Sequence, residues 1–204
     1  MTVQPAILIL AAGASSRMKG KDKLIEMVDG LPLLRRSACI ALACGVPVVV
    51  VVPPDRPERV ATLDGLPLHC VVAQDARLGM AASLRAGFGA LRDTGAGAAM
   101  ILPADMPDVT TADITRMLEA AAADPSAILR ATAEDGTPGH PVILPADLWP
   151  ELEALTGDEG GRSVVARHRD RLRLVALPGR RALTDLDTPE DWASWRAGGS
   201  GPHQ

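Results

Sequence analysis

The sequence lacks the features by which membrane, secreted and nucleic-acid-binding proteins are usually identified. Its 204 residues carry 21 Lys and Arg against 25 Asp and Glu, a net charge of −4, and this balance argues against nucleic acid as a partner. No apolar run approaches the ~18 residues that a membrane-spanning helix needs, and the residues before the first apolar run lack the basic start of a secretory leader. We therefore expect a cytoplasmic protein with no membrane or nucleic-acid partner, and we expect it to be a monomer.

Cysteine is scarce, and two common phosphate-binding patterns are missing. Cys39, Cys44 and Cys70 show no C-x-x-C spacing, so we expect reduced structural thiols and no zinc site. Neither G-x-x-x-x-G-K-[ST] nor G-x-G-x-x-G follows the first apolar run, and the second absence argues against a dehydrogenase. Any nucleotide chemistry must therefore come from a different kind of loop.

Short apolar runs alternate with helical patterns along the chain, which is typical of βαβ units around a mostly parallel sheet. We predict strands over residues 6–10, 46–52, 68–72, 98–102, 128–132, 141–144 and 172–177. We predict helices over residues 32–44, 79–92, 146–155 and 188–197, a helix opened by Thr110, and a basic helix after residue 161. Strands alternate less regularly in the second half, which predicts a partly mixed sheet. The fold class is α/β, a single Rossmann-like three-layer α/β/α domain over 1–197, followed by a frayed tail over 198–204.

The clearest chemical signal follows the first predicted strand. Residues 10–18 read LAAGASSRM, and Lys19, Lys21 and Lys23 follow closely. A loop of small residues at the carboxyl end of a buried strand lets backbone N–H groups approach a phosphate chain. Arg17 offers a planar fork for bidentate phosphate contacts, while the lysines are mobile point charges. The pattern indicates a loop that handles nucleotides.

This run, followed by Gly20 and Lys23, resembles the signature of the MobA-like nucleotidyltransferases, and among them the molybdenum cofactor cytidylyltransferases. Gly usually follows Arg-Met directly in that signature, whereas Lys19 intervenes here. By its place at the end of the motif, Lys23 is expected to reach the phosphates, with Lys19 and Lys21 as the alternatives. The guanylyltransferase relatives carry Leu-Ala-Gly-Gly where this chain has LAAG, which favours the cytidylyl branch. The resemblance extends over roughly residues 6–195 and implies the nucleotide-diphospho-sugar transferase type of fold.

Acidic residues supply candidate metal ligands. Asp105 comes just past the strand at 98–102, at the sheet edge where ligands of open α/β sheets collect, and Mg²⁺ prefers carboxylate, water and phosphate oxygens. The segment LTDLDTPED over 183–191 resembles the closing motif of the same nucleotidyltransferases, so Asp185 and Asp187 become further candidates. We expect these two side chains to point to opposite sides of the segment, so that only one faces the ion. Asp187 is favoured over Asp185.

Other segments resemble the family around its two substrates. The run LGMAASLRAG over 78–87 opens a helix with small residues, which suits an anion or a base edge, although alanines there also permit close helix packing. His140 and Arg162 lie in segments similar to those around the acceptor, the alternative for His140 being a loop histidine satisfied by the backbone. The basic run at 162–173 is expected to be mostly a solvated face, with contact to a molybdoenzyme or its maturation chaperone as the alternative.

The resemblance implies transfer of CMP from CTP to the phosphate of molybdenum-bound molybdopterin, with release of pyrophosphate and with Mg²⁺ as cofactor. Arg17, Lys23 and Asp105 would act on the reacting phosphates by positioning and charge neutralisation. The expected nucleotide-binding residues are Leu10, Ala11, Ala12, Gly13, Ser15, Ser16, Arg17, Lys23, Gln74, Gly79, Met80 and Ser83. The alternatives are a guanylyltransferase, a sugar- or alcohol-phosphate nucleotidyltransferase of the same fold, and a non-catalytic nucleotide-binding accessory protein for molybdoenzyme maturation.

Overall fold

A computed structural model describes residues 4–198 of the chain. Residues 1–3 and, from residue 199 onward, the expected tail lie outside the described residues. The strands are β1 Pro5–Leu10, β2 Met27–Val28, β3 Leu31–Pro32, β4 Val48–Val52, β5 His69–Val72, β6 Ala98–Pro103, β7 Ile128–Thr132, β8 Pro138–Pro145 and β9 Leu172–Ala176. The α-helices are α1 Leu33–Leu42, α2 Pro57–Thr62, α3 Met80–Arg92, α4 Thr111–Ala123, α5 Trp149–Glu153, α6 Arg162–Arg167 and α7 Pro189–Ala197.

Seven strands form one sheet in the order β5-β4-β1-β6-β8-β7-β9. The pairs of β1 with β4 and β6, of β4 with β5 and of β7 with β9 are parallel. The strand β8 runs antiparallel to both of its neighbours, β6 and β7. The predicted α/β class with a mostly parallel and partly mixed sheet is therefore confirmed.

Alternation along the central strands divides the core between the two faces of the sheet. In β1, Ile7 and Ile9 join a cluster with α1 and α4, whereas Leu8 joins a cluster with α3 and α5. Both clusters consist mainly of buried aliphatic side chains, and successive residues of a strand point to opposite faces. The result is the three-layer α/β/α arrangement that continuous apolar strands require, because both of their faces must be covered.

Capping residues set the boundaries of two helices as the sequence indicates. The hydroxyl of Thr110 accepts the N–H of Asp113, whose carboxylate accepts the N–H of Thr110, and this capping box opens α4. An equivalent box between Thr188 and Asp191 opens α7, with Pro189 at its first position. These local bonds satisfy the free N–H groups of each first turn.

Two small elements were not predicted. The helix α2 has six residues, too few to show a helical period, and only Pro57 at its first turn marks it. The hairpin of β2 and β3 turns at Asp29 and Gly30, both with positive φ, which is the Asp-Gly signal for a tight turn between strands. Both elements pack beside the segment that follows β1, so they belong to the surroundings of the candidate site.

The longest α-helices of the described chain, α3 and α4, have 13 residues each. Across residues 4–198, no helix combines the length and the apolar character needed to cross a membrane. The three cysteines are free, as expected from their spacing.

Candidate nucleotide and acceptor site

A cleft of ≈ 680 Å³ opens at the carboxyl edge of the parallel strands. It is lined by Leu10 at the end of β1, by Pro53 directly after β4 and by Pro103 at the end of β6, and these three strands are adjacent in the sheet. Ligands of open α/β sheets bind at this edge, because the loops that leave the strands converge there. The predicted phosphate loop, the Asp105 turn and the start of α3 all contribute to its walls.

The loop after β1 presents only part of its predicted residues to the cleft. Leu10, Ala12, Gly13 and Arg17 line the cleft. The remaining predicted members of the loop, which do not line it, are Ala11, Ser15 and Ser16. One cleft residue on this side, Arg56, was not predicted, and its guanidinium donates to the Ala14 carbonyl at 3.4 Å.

An ammonium group joins two carboxylates at the floor of the cleft. Lys23 Nζ donates to Asp105 Oδ2 and to Asp187 Oδ1, each at 2.5 Å. Arg17 contacts the second oxygen of Asp187 at 2.5 Å. Burial disfavours the charged amine, but the two carboxylates outweigh it and raise the pKa of Lys23, so the ammonium stays charged.

The other two lysines of the motif lie elsewhere. Lys19 Nζ pairs with Glu190 on the surface at 2.7 Å, and both side chains are largely exposed. Lys21 is exposed and does not line the cleft. Of the three lysines in the motif, Lys23 therefore lines the cleft, and Lys19 and Lys21 do not.

Backbone contacts fix the two acidic segments against each other. The N–H of Ala104 donates to the Leu10 carbonyl at 3.2 Å, which holds the turn of Asp105 to the end of β1. The N–H of Leu186 donates to the Asp105 carbonyl at 3.2 Å, and the buried Leu186 side chain anchors the Asp187 segment. Asp105 and Asp187 therefore reach the same point from two segments that are distant in sequence.

The expected arrangement of Asp185 and Asp187 is wrong. Residues two positions apart on an extended chain point to the same side, and their carboxyl groups lie close to each other. Burial and the negative charges of Asp105 and Asp187 raise the pKa of Asp185, whereas Lys23 and Arg17 outweigh burial and lower the pKa of Asp187. Asp187 lines the cleft and Asp185 does not.

The acidic residues suit a hard divalent cation that is completed by a substrate. Because Asp105 and Asp187 bond the same nitrogen atom, their oxygens lie within reach of one small cation. Within the described part of the chain, no three or more His, Cys, Asp and Glu side chains are grouped to hold a metal ion. This donor set fits a cation that takes two carboxylates and receives further oxygens from phosphates and water.

The predicted segment at the start of α3 forms another wall. Gly79, Met80 and Ser83 line the cleft, whereas Gln74 is exposed and does not. Gly79 has a φ of 111°, and a Cβ there would collide with the carbonyl of Gly157. This close approach joins the start of α3 to the loop before α6, which carries the acceptor candidate Arg162.

Three basic side chains face the cleft on the side of β7, β8 and α6. They are Arg130, His140 and Arg162, and none of them forms an ion pair among the residues the structure describes. The His140 side chain is exposed toward the cleft, and desolvation together with the positive charges of Arg130 and Arg162 outweighs the Asp105 carboxylate and lowers the pKa of His140. Burial and the charge of Arg162 also lower the pKa of Arg130. The arrangement concentrates positive charge on this side of the cleft, which suits an anionic ligand.

Arg130 was missed at the level of sequence. It interrupts the apolar strand β7, and its Nε donates to the Gly139 carbonyl at 3.1 Å on β8. A charged residue inside an apolar strand is a sequence signal for a functional site, because isolated charges are rarely buried without a partner or a ligand. The surrounding cleft wall is aliphatic and consists of Leu84, Ile101, Val142, Leu144 and Val165.

The basic run at 162–173 is partly neutralised on the surface. Arg167 pairs with Glu151 at 2.8 Å and Arg171 pairs with Asp147 at 2.7 Å. Arg162 lines the cleft instead. The run is thus divided between the cleft and outward-facing ion pairs, and contact with a partner protein stays a prediction.

Comparison with known proteins places these features in a family. A family model described as a MobA-like NTP transferase domain matches residues 7–172. The phosphoenolpyruvate guanylyltransferase of Rubrobacter xylanophilus is 33% identical over 186 residues, covering 83% of this chain and 80% of that protein. The molybdenum cofactor guanylyltransferase of Burkholderia vietnamiensis is 30% identical over 181 residues, covering 82% and 85% respectively.

Solved structures agree on the fold. Rv0371c of Mycobacterium tuberculosis is 26% identical, with a TM-score of 0.82 over 95% of this chain and 97% of that chain. A structure of the same protein in complex with manganese is 24% identical, with a TM-score of 0.75 over 94% and 97%. The fold is of the nucleotide-diphospho-sugar transferase type, as expected. With its loop after β1, its cleft at the sheet edge and the match over residues 7–172, the chain belongs to the MobA-like NTP transferases and is a nucleotidyltransferase by family.

Proposed function

We propose that the protein transfers CMP from CTP to the phosphate of molybdenum-bound molybdopterin and releases pyrophosphate. The observation that carries the proposal is a single cleft with a phosphate loop and an acidic pair at one end and a pocket with three basic side chains at the other. An anionic acceptor in the basic pocket would meet the nucleotide over Asp105. The arrangement suits transfer between two phosphate-bearing substrates.

The reaction needs positioning and charge stabilisation more than a nucleophilic side chain. An acceptor phosphate oxygen attacks the α-phosphorus of CTP, and the bond from that phosphorus to the pyrophosphate oxygen breaks. Backbone N–H groups around Gly13, together with Arg17 and Lys23, would stabilise the charge that develops on the leaving pyrophosphate. These cationic groups lie at the same end of the cleft as the acidic pair, so both act on one phosphate chain.

Asp105 and Asp187 would hold Mg²⁺, with Asp185 close behind them. When bound, the ion would neutralise charge on the α-phosphate. The ammonium of Lys23 lies between the two carboxylates. The incoming phosphates offer Lys23 new partners, so we infer that nucleotide binding frees the carboxylates.

The acceptor pocket favours a heterocyclic substrate that bears an anionic group. Its aliphatic wall, which includes Ile101, Val142 and Leu144, offers few hydrogen-bond partners to the hydroxyl groups of a sugar. Arg130, His140 and Arg162 would contact the phosphate of the acceptor. A relative named molybdenum cofactor guanylyltransferase supports a molybdenum-bound pterin as the acceptor.

A second candidate function differs from the first in its nucleotide, which is GTP in place of CTP. Ala12 stands where the guanylyltransferase relatives carry a glycine, which supports CTP. Two relatives that match more than 80% of this chain are named guanylyltransferases, which supports GTP. The two candidates share the same loop, acidic pair and reaction.

The test is pyrophosphate release by the purified protein with Mg²⁺ and each of CTP, GTP, ATP and UTP. Each nucleotide is assayed with and without molybdenum-loaded molybdopterin, and with phosphoenolpyruvate as a second acceptor. We expect release with CTP that requires the pterin. Release with GTP would establish the guanylyl alternative, and binding of CTP without turnover of any nucleotide would favour the accessory protein.

A further inference from the structure

A completely buried arginine lies behind the phosphate loop. Arg59, in α2, has no exposed surface, and its guanidinium bonds both oxygens of Asp22, at 2.7 and 2.9 Å. The same guanidinium donates to the carbonyl of Ala11 at 2.5 Å and to the hydroxyl of Ser15 at 3.1 Å. Its hydrogen bonds therefore reach three separate points of the segment between β1 and Lys23.

Each of those points has a role in the shape of the loop. Ala11 is the first residue after β1, and Ser15 has a φ of 52°, in the left-handed region that residues other than glycine seldom adopt. The Ser15 hydroxyl also donates to Asp22 at 3.2 Å, so the strained residue is held by both members of the ion pair. Such conformations persist where the surrounding structure determines them.

The pair also sets the position of the cleft lysine. Asp22 Oδ1 accepts the N–H of Leu24 at 3.0 Å and thereby caps the short turn Lys23–Ile25. Lys23 is the first residue of that turn, directly after the carboxylate. Any movement of Asp22 is transmitted to Lys23 through a single peptide unit.

The position of this pair indicates a role beyond stability. Burying a charged pair costs several kcal/mol in desolvation, and apolar residues of similar volume often serve stability as well. Neither Arg59 nor Asp22 lines the cleft, so neither can contact a ligand directly. All four contacts of the guanidinium are to Asp22 and the loop that precedes it.

We propose that Arg59 and Asp22 are positioning residues that hold the phosphate loop and Lys23 in the geometry that binds the pyrophosphate part of a nucleoside triphosphate. The inference rests on the proposed function for its ligand, but it concerns groups that never touch substrate. It assigns the affinity of the loop for pyrophosphate to a buried ion pair that joins α2 to the segment before Lys23.

The experiment compares Arg59→Lys with the wild-type protein. Lysine keeps the positive charge but loses the planar fork, so it cannot bond both Asp22 oxygens, Ala11 and Ser15 together. Binding of inorganic pyrophosphate in the presence of Mg²⁺ is measured by titration calorimetry, and unfolding is followed by thermal melts. We expect Kd for pyrophosphate to rise by about 10–100-fold, the range found when groups that orient the ligands of a metal site are replaced.

A matched control separates positioning from a general loss of structure. Arg92 makes a bidentate pair with Glu153, at 3.1 and 2.7 Å, far from the loop, so Arg92→Lys removes a fork of the same kind. Its Kd should stay within twofold of the wild-type value. A merely structural role for Arg59 would lower the amount of folded protein but leave Kd of the folded fraction unchanged, and that result would overturn the proposal.

Two further outcomes are distinguishable. If Arg59→Lys does not fold, Asp22→Asn, which keeps an amide oxygen for the N–H of Leu24, replaces it and must show the same loss of affinity for the proposal to stand. If the wild-type protein binds pyrophosphate but turns over no nucleotide, the proposed function fails, and the positioning role is still decided by the same comparison of Kd. A wild-type protein that binds no pyrophosphate overturns the positioning proposal, whereas the proposed function is decided by turnover alone.

Discussion

Replacing Lys23 with methionine removes the ammonium between Asp105 and Asp187 while keeping most of the side-chain volume. The Lys23 side chain is 13% exposed and its partners are 18% and 19% exposed, so both contacts are largely shielded from water. A group that stabilises developing charge from such a position typically contributes ~2.7–4 kcal/mol, or about 10²–10³ in kcat. We therefore expect Lys23→Met to lower kcat for pyrophosphate release by about that factor.

Lys19→Met is the matched control. The Lys19 and Glu190 side chains are 73% and 68% exposed, and exposed pairs contribute only about 0–1 kcal/mol. Its kcat should therefore stay within about fivefold of the wild-type value. Steady-state pyrophosphate release, with whichever nucleotide the wild-type protein turns over, measures both variants. The assignment of Lys23 is refuted if Lys19→Met is the more damaging change or if Lys23→Met retains more than a tenth of the activity.

The same substitution has a consequence that needs no turnover. Without the ammonium, Asp105 loses its cationic partner and Asp187 keeps only Arg17, which destabilises the folded protein. Mg²⁺ can then occupy the vacated position without competition, so we expect thermal melts of Lys23→Met to show a larger rise in Tm on adding Mg²⁺ than the wild-type protein shows. An equal rise in both proteins would mean that the ammonium does not compete for the two carboxylates.

Three further changes test other parts of the argument. Asp105→Asn removes a charge at constant volume, so turnover should be abolished while the thermal melt stays cooperative, and wild-type activity would refute the metal assignment. Gly87→Ala forces a methyl group against the buried Leu8. This overpacking costs about 1–3 kcal/mol of folding free energy and offsets the gain of about 1 kcal/mol in helix propensity. In Gly89→Ala, on the same helix, the new methyl group meets nothing within 4 Å. We expect the first variant to melt below the second, and equal Tm values would contradict that packing. Burial raises the pKa of Asp22, but its hydrogen bonds outweigh burial and lower that pKa below the usual range. The stabilisation that ionised Asp22 gives the folded protein is therefore complete above a pH of about 4, and it is lost as pH falls through the lowered pKa of the folded state. The Tm difference between wild type and Asp22→Asn should therefore shrink between pH 5 and pH 3, and a constant difference would exclude ionisation of Asp22 as its cause.

The elements that sequence reasoning located well are those whose signal is local. Apolar runs such as Val48–Val52 mark buried strands by themselves, and the Thr110 capping box marks a helix start within four residues. The strand β8 is longer than predicted, Pro138–Pro145 against 141–144, because its first residues, Pro138, Gly139 and His140, carry no apolar strand pattern.

The parts of the site that escaped prediction depend on contacts distant in sequence. Arg59 lies 37 residues from its partner Asp22, on a helix too short to show a period. Arg130 becomes recognisable as a cleft residue only when β7 is placed two strands away from β6. The predicted orientation of Asp185 relative to Asp187 depends only on local geometry and is still wrong. Residues two positions apart on an extended chain share a side, whereas the prediction placed them on opposite sides.

The single reversed strand gives the two ends of the cleft different freedom to change. Because β8 runs against β6, its first half, with His140, lies at the edge where the parallel strands finish, and its backbone shares no loop with the nucleotide end. Substitutions at the beginning of β8 can therefore reshape the acceptor pocket while the loop after β1 stays as it is. A fold built in this way can retain one nucleotide-handling end through evolution and exchange the molecule that receives the nucleotide.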